Sequence, residues 1–471
     1  MKQKKMKIIL VFFLLFAVNL SAYSQELSSD SSQNFTLKEL KEYAVEHSYE
    51  IRNADLEIKK AKAKKWETTA MGLPQVSGSA EYQNFPDIPT QLMPNFIAPA
   101  VYDVNTNAFG LTPLAPFQAG GKIPVQFGSK HNVDWKISAS QLVFSGEYIV
   151  GLKASKIYLS LSKQSKEKNM LSVKENIEKT FYLILITEES INVLDSVYKN
   201  MHKLYDDMQA VYNQGLTEET DVEQLKLNLQ TTENSLISFK KQKDLLYKLL
   251  KFQAGFNYDV PLKISGNLQD AVNEIEESTI LTEAFNVNQN IDYKLMQIQE
   301  NLSDLSLQRE KTKYLPSIAA FYSYSNKAMS DSLNLLTEKD SWYPTSVWGL
   351  QISIPIFSSG QRYAKVKQAQ FDLEEKNILK QKTEQALLLN NAQTRTDYQI
   401  ALNTVKSNSE NRHLAEKIYK NTLIKYKQGT ASSITLTQVQ TQYFQALSKY
   451  YQSLNELIDK HIKLKQLMNL L

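Results

Sequence analysis

The sequence contains no cysteine. That absence excludes disulfides, thiolate metal sites, a cysteine nucleophile and a lipidated N-terminal cysteine. Histidine is scarce as well: His47, His131, His202, His413 and His461 are scattered without the spacing of metal ligands. There is no Gly-x-Ser-x-Gly elbow, phosphate loop or paired-histidine motif. Acidic residues such as Glu188, Glu189, Glu218 and Glu219 lie in helical or turn contexts that a solvated face explains. The expectation is therefore a protein without enzymatic activity, cofactor or metal. Apart from residues 8–20, no apolar run approaches the roughly 20 residues a membrane-spanning helix needs. Entry into a bilayer would need strands.

The N-terminus reads as a secretory signal at residues 1–24. Lys2, Lys4, Lys5 and Lys7 precede an apolar stretch from Ile8 to Leu20, and Ala22-Tyr23-Ser24 offers a small-residue cleavage site. Its removal takes away four of the 54 basic residues and none of the 50 acidic ones, leaving 50 of each. A mature chain of zero net charge is not a nucleic-acid binder by electrostatics.

Glycine and proline number only 14 and 12, and both are missing from 152–214, 216–254, 361–428 and 430–471. Because Gly costs about 1 kcal/mol and Pro about 3 kcal/mol inside a helix, such runs predict long helices. At about 1.5 Å per residue the longest would reach on the order of 100 Å. Two of the rare glycines sit in matching contexts, Tyr212-Asn213-Gln214-Gly215-Leu216-Thr217 and Tyr426-Lys427-Gln428-Gly429-Thr430-Ala431. Each is the expected turn of a helical hairpin, 147–254 with its tip near 213–219 and 361–471 with its tip near 427–433.

Further matches mark a duplication. Leu142-Val143-Phe144-Ser145-Gly146 corresponds to Ile356-Phe357-Ser358-Ser359-Gly360, and Leu73-Pro74 corresponds to Leu315-Pro316. The first repeat is read as 25–254 and the second as 280–471, joined by an equatorial linker at 255–279. Each opens on a helix, at 35–71 and 280–313. Alternating segments follow: Val76, Gly78, Ala80 and Tyr82 share one face, as do Val133, Trp135, Ile137 and Ala139. In the second half Ile318, Ala320, Tyr322 and Tyr324 do the same, with Trp348, Leu350, Ile352 and Ile354. The expected strands are 73–85, 131–144, 316–326 and 346–357, each near the length of a tilted membrane strand. Between the first two, the segment 86–130 holds seven of the twelve prolines and is expected to be an extracellular loop.

The last helix carries a coiled-coil seam, with Leu436, Tyr443, Tyr450, Leu457, Leu464 and Leu471 at seven-residue intervals. Leu447, Leu454 and Ile458 widen it, so more than one helix should pack there. Four strands cannot close a barrel, and an open edge in lipid leaves backbone groups unsatisfied. Two copies would give eight strands and a filled interior, and three would give twelve with room for a conduit.

Across almost the whole mature chain, the order helix, strand pair, helical hairpin, repeated twice, resembles the TolC-type outer-membrane efflux proteins, also called outer membrane factors. The most specific points are Tyr212-Asn213-Gln214-Gly215-Leu216 with Thr220-Asp221-Val222, and Tyr426-Lys427-Gln428-Gly429-Thr430. The resemblance implies long helical hairpins plus a transmembrane β-barrel: a homotrimeric, twelve-stranded barrel in outer-membrane lipid, four strands per chain, continued by a periplasmic α-helical coiled-coil tunnel. It implies a passive channel of a tripartite efflux or type I secretion system, with a periplasmic adaptor (membrane-fusion) protein and an inner-membrane transporter as partners. Gly215, Leu216, Thr217, Gly429, Thr430 and Ala431 fall at the adaptor-docking tips. Tyr212, Thr220, Asp221, Tyr426, Thr435 and Gln438 fall at the periplasmic gate. Here the chain departs from the family: Thr435 and Gln438 occupy acidic-ring positions, and Ala431 replaces a basic locking residue. A hydrogen bond between Asp221 and Tyr426 is the expected closed-state link. The rival readings are a secreted or periplasmic coiled-coil scaffold or adhesin, and the periplasmic adaptor itself. An adaptor carries one hairpin flanked by small β-domains, whereas this chain repeats throughout.

Overall fold

A computed structural model describes residues 33–95, 97–111, 121–332 and 342–471. The expected signal peptide and parts of both strand-connecting loops lie outside the described residues. In chain order the elements are β1 (Gln33–Phe35), α1 (Leu37–His47), α2 (Tyr49–Ala70), β2 (Gln75–Asn84), β3 (Thr90–Pro94), α3 (Ile97–Asp103), β4 (Lys122–Gln126) and β5 (His131–Phe144). The first hairpin, α4 (Gly146–Asn213) and α5 (Glu219–Ala254), follows, then β6 (Leu262–Ile264) and α6 (Leu268–Glu276). The second half holds α7 (Ile291–Thr312), β7 (Ser317–Ser330), β8 (Trp342–Ser353), α8 (Gln361–Lys427) and α9 (Ser433–Leu467). No described helix is long and apolar enough to cross a membrane.

Four strands form one antiparallel sheet in the order β2-β5-β7-β8, leaving β2 and β8 as edges. The register aligns the alternating patterns. Val76 pairs with Ala139, Gly78 with Ile137 and Ala80 with Trp135; Ile137 then faces Tyr324, and Ala139 faces Tyr322. Tyr322 lies opposite Trp348, Ala320 opposite Leu350 and Ile318 opposite Ile352. Residues paired across strands share a face, so one surface of all four strands is apolar. The other carries Ser77, Ser79, Glu81, Asp134, Lys136, Ser138, Ser323, Ser325, Lys327, Thr345 and Gln351.

All the long helices hang from one end of this sheet. α2 and α7 rise to β2 and β7, while α4 and α8 descend from β5 and β8 and return as α5 and α9. The larger core gathers Leu40, Ile51, Ile177, Ile184, Leu250, Tyr398, Leu454 and Leu457 where α1, α4, α5, α8 and α9 meet α6 and β6. β6 pairs in parallel with β1, tying the linker to the start of the first repeat. A smaller core toward the turns joins all four hairpin helices through Met201, Leu225, Tyr419 and Leu436.

Several elements differ from expectation, each for a local reason. The helix expected over 35–71 breaks at buried Ser48, whose extended backbone (φ −60°, ψ 145°) ends α1 and opens α2. The C-terminus of α5 presses against this break: a Cβ on Gly255 (φ +83°) would lie 2.4 Å from the His47 carbonyl oxygen. The helix expected over 280–313 starts only at Ile291. Asn290 stops it, accepting from the Asp292 amide at 2.9 Å and donating to the Leu467 carbonyl at 3.0 Å. β7 and β8 both reach further toward their connecting loop than the expected strands, and β8 ends at Ser353, ahead of Pro355, which has no N–H for a ladder. The expected loop 86–130 contains its own hairpin, β3 with β4, and the short α3.

Candidate functional site

The two turns farthest from the sheet are built alike. Gly215 (φ +74°) donates to the Tyr212 carbonyl at 2.7 Å, and Leu216 donates to that of Val211 at 3.2 Å. Gly429 (φ +73°) donates to Tyr426 at 2.9 Å, and Thr430 donates to Lys425 at 2.9 Å. This is the Schellman arrangement, in which a left-handed residue lets two amides satisfy the last free carbonyls of a helix. In its usual form the residue after the glycine packs back on the helix, but Leu216 is 73% exposed. Ile434, at the start of α9, is 72% exposed, so both tips present an uncovered aliphatic side chain.

The return helices begin differently. α9 is capped by Ser432, whose Oγ accepts from the Thr435 amide at 3.2 Å. α5 has Glu218 at its N-cap position without a side-chain cap, and Thr217 donates instead to the Asp221 carboxylate at 3.3 Å. Asp221 does not bond Tyr426. Its other oxygen accepts from the Ser433 hydroxyl, joining the tips of the two hairpins. Tyr426 is buried in the lower core with no hydrogen-bond partner for its hydroxyl. Burial first, then the nearby Asp221 charge, pushes that hydroxyl up to about 12. The expected link fails because Tyr426 points into the apolar space between the helices.

Above Asp221 the contact continues as a ladder that the sequence analysis missed. Asn228 donates to Thr437 at 2.7 Å, and Gln440 donates to Thr232 at 3.4 Å. α5 and α9 both run away from the tips, so the rungs Asp221–Ser433, Asn228–Thr437 and Thr232–Gln440 ascend together. The sequence carries no matching signal, since these residues are seven and four apart on α5 but four and three apart on α9, among many other polar positions. Of the other predicted gate residues, Tyr212 is half-buried, while Thr220, Thr435 and Gln438 are exposed. Ala431 packs against the lower core.

Charge is divided between the tips. Residues 204–225 of the first hairpin hold Asp206, Asp207, Glu218, Glu219, Asp221 and Glu223 and no Lys or Arg. Residues 417–448 of the second hold Lys417, Lys420, Lys425 and Lys427 and no acid. Among the described residues, no ion pair joins the two sets; Lys420 is taken by Glu416 of its own helix at 2.6 Å. No group of His, Asp and Glu able to hold a metal ion occurs among the described residues.

Residues 287–470 match the outer membrane efflux protein family. The match covers the second repeat of the chain. Beyond that segment the whole chain has the fold of known outer-membrane channels. The Campylobacter jejuni CmeC outer membrane channel superposes with a TM-score of 0.69 at 17% identity, covering 95% of this chain and 90% of that one. The Neisseria gonorrhoeae MtrE outer membrane channel, crystallised in its open state, gives 0.62 at 14% identity over 95% of both chains. The Vibrio cholerae outer membrane protein VceC gives 0.63 at 13% identity, over 92% of this chain and 94% of that one. No curated protein matches by sequence.

Proposed function

We propose that this protein is the outer-membrane channel of a tripartite export system, a passive conduit formed by three copies of the chain. The observation that carries this reading is the sheet. Its apolar face runs across four strands without a covering layer, with Trp348 81% exposed and Val76 70% exposed, and its two edges are unpaired. An exposed apolar surface with free edges is unstable in water. Three copies joined edge to edge make a closed twelve-stranded barrel with lipid outside and the polar face lining a pore.

The helices continue that pore as a periplasmic tunnel, and residues 1–24 direct export. A ring of copies places each acidic first-hairpin tip beside a basic second-hairpin tip of its neighbour, which favours closing the ring at the tips. The Schellman turns at Gly215–Thr217 and Gly429–Ala431, with Leu216 and Ile434 exposed, form the docking surface for a periplasmic adaptor fed by an inner-membrane transporter. Tyr212, Thr220, Asp221, Thr435 and Gln438 surround the narrow end, with Tyr426 in the core behind them. Drug or metal efflux and type I protein secretion use the same conduit.

The test is reconstitution. The full chain should purify from membranes only with detergent, run as a trimer, and form ion-conducting pores in planar bilayers. Asp221→Ala, which frees Ser433 and loosens the seam between hairpins, should raise single-channel conductance. A water-soluble protein with no conductance would favour the scaffold or adhesin.

A further inference from the structure

Just below the sheet the helices carry charges that neither the tunnel nor the pore uses. α2 approaches β2 through residues 59–67, which hold five lysines and one glutamate. Lys59, Lys62 and Trp66 follow one another at helical spacing on one outward face. Both lysines are exposed without an ion-pair partner among the described residues, and Trp66 is 65% exposed. Lys65 is likewise unpaired. The neighbouring pairs, Lys60 with Glu57 and Lys64 with Glu67, are surface pairs that neutralise only part of the charge.

Stabilisation of the helix end does not account for them, since no basic residue lies in the last turn of α2. α8, which leaves the sheet from the opposite edge strand, β8, and comes beside α2 of a neighbouring copy only when the edges join in a ring, opens with Arg362 and Lys365 and no acid in its first turn. That is the reverse of the charge a helix N-terminus favours. Arg362 is occupied, donating to the Ser358 hydroxyl at 3.0 Å and the Pro355 carbonyl at 2.9 Å, whereas Lys365 is exposed and has no ion-pair partner among the described residues.

We infer that this collar binds anionic phospholipid headgroups of the leaflet at the helical end of the sheet. The inference rests on the reading of the strands as membrane-spanning. Distance supports it: Lys59 lies about 16 Å along the helix from the end of α2. A headgroup layer plus one Debye length reaches about 15 Å beyond the hydrocarbon. The order along the face, lysines first and then Trp66 nearer the sheet, is that of an interfacial anchor, with the ring at headgroup depth. α2 runs directly into β2, an edge strand of the sheet, and a phosphate surface supplies the missing counter-charge.

The experiment uses the assembled full chain, reconstituted in phosphatidylethanolamine with or without phosphatidylglycerol. Retained lipids are counted by native mass spectrometry. Phosphatidylglycerol should be kept in preference, and the preference should weaken about fivefold for each of Lys59, Lys62 and Lys65 changed to Gln at low salt. It should fade at high salt, and Lys203→Gln, far from the sheet, should leave it intact. Size and circular dichroism establish that each variant is folded and assembled. Equal retention of both lipids by the native chain, or an unchanged preference in the triple variant, would overturn the inference. So would capture of peptidoglycan by these lysines without lipid preference. A chain that inserts yet shows no preference refutes the collar alone; one that never enters the bilayer refutes the barrel and the collar together.

Discussion

Asn228 on the first hairpin donates its side-chain amide to the Thr437 hydroxyl on the second at 2.7 Å, and that hydroxyl in turn donates to the Ser433 carbonyl at 2.9 Å. The two return helices are therefore held by polar rungs within an otherwise apolar seam. A double-mutant cycle with Asn228→Ala and Thr437→Ala should give a coupling of about 1 kcal/mol, the net worth of one such hydrogen bond. Denaturant titration of the assembled protein measures it, and additive effects would mean that the rung contributes nothing.

The tip glycines should be equivalent. Nothing lies within 4 Å of a Cβ added at Gly215 or Gly429, so only the left-handed backbone opposes substitution. Gly215→Ala and Gly429→Ala should each cost about 1–2 kcal/mol locally. Gly255→Ala should cost considerably more, because its Cβ would collide with the backbone at His47 and Ser48. Amide exchange at the tips and global melting separate the two effects.

His461 predicts an acid-sensitive core. Burial first, and the nearby Lys465 second, push its imidazole down to about 4, with Glu178 opposing; its Nδ1 is buried without a partner. The folded state therefore refuses a proton that the unfolded chain accepts near 6.5. Stability from this residue is complete above about pH 6.5 and is lost as pH falls toward 4, by up to about 3 kcal/mol. His461→Phe should flatten that part of the pH–stability curve, and an unchanged slope would show that other groups control it.

Glu178 bridges three helices. Its carboxylate, 2% exposed, accepts from Lys41 of α1 and, at 3.4 Å, from Lys465 of α9. Burial pushes the Lys41 ammonium down, and Glu178 opposes the shift. Glu178→Ala leaves two cations facing a low-dielectric space and should cost about 3–5 kcal/mol. Replacing all three residues with apolar ones should recover most of that loss in thermal melts.

Much of this architecture was legible along the chain because its signals are local. The Gly- and Pro-free runs foretell α4, α5, α8 and α9, since a helix depends on each residue's own propensity and on neighbours within one turn. The period-two alternation of Val133 to Ala139 foretells β5 for the same reason. The break at Ser48 was not legible, because it depends on Gly255 pressing against His47 from a helix two hundred residues away. The start of α7 at Ile291 is in part a local signal, since Asn290 caps it by accepting from the Asp292 amide; only the second bond, to the Leu467 carbonyl, depends on distant chain.

At the tips the division is sharper. Sequence by itself determined the duplication, the two glycine turns and the separation of an acidic from a basic tip, all properties of contiguous residues. Only the tertiary structure decided that Asp221 bonds Ser433 and not Tyr426, and that Tyr426 belongs to the core. The reason is geometric: α5 and α9 are joined through space, so their register sets which polar side chain faces which, and no spacing within either helix encodes that register.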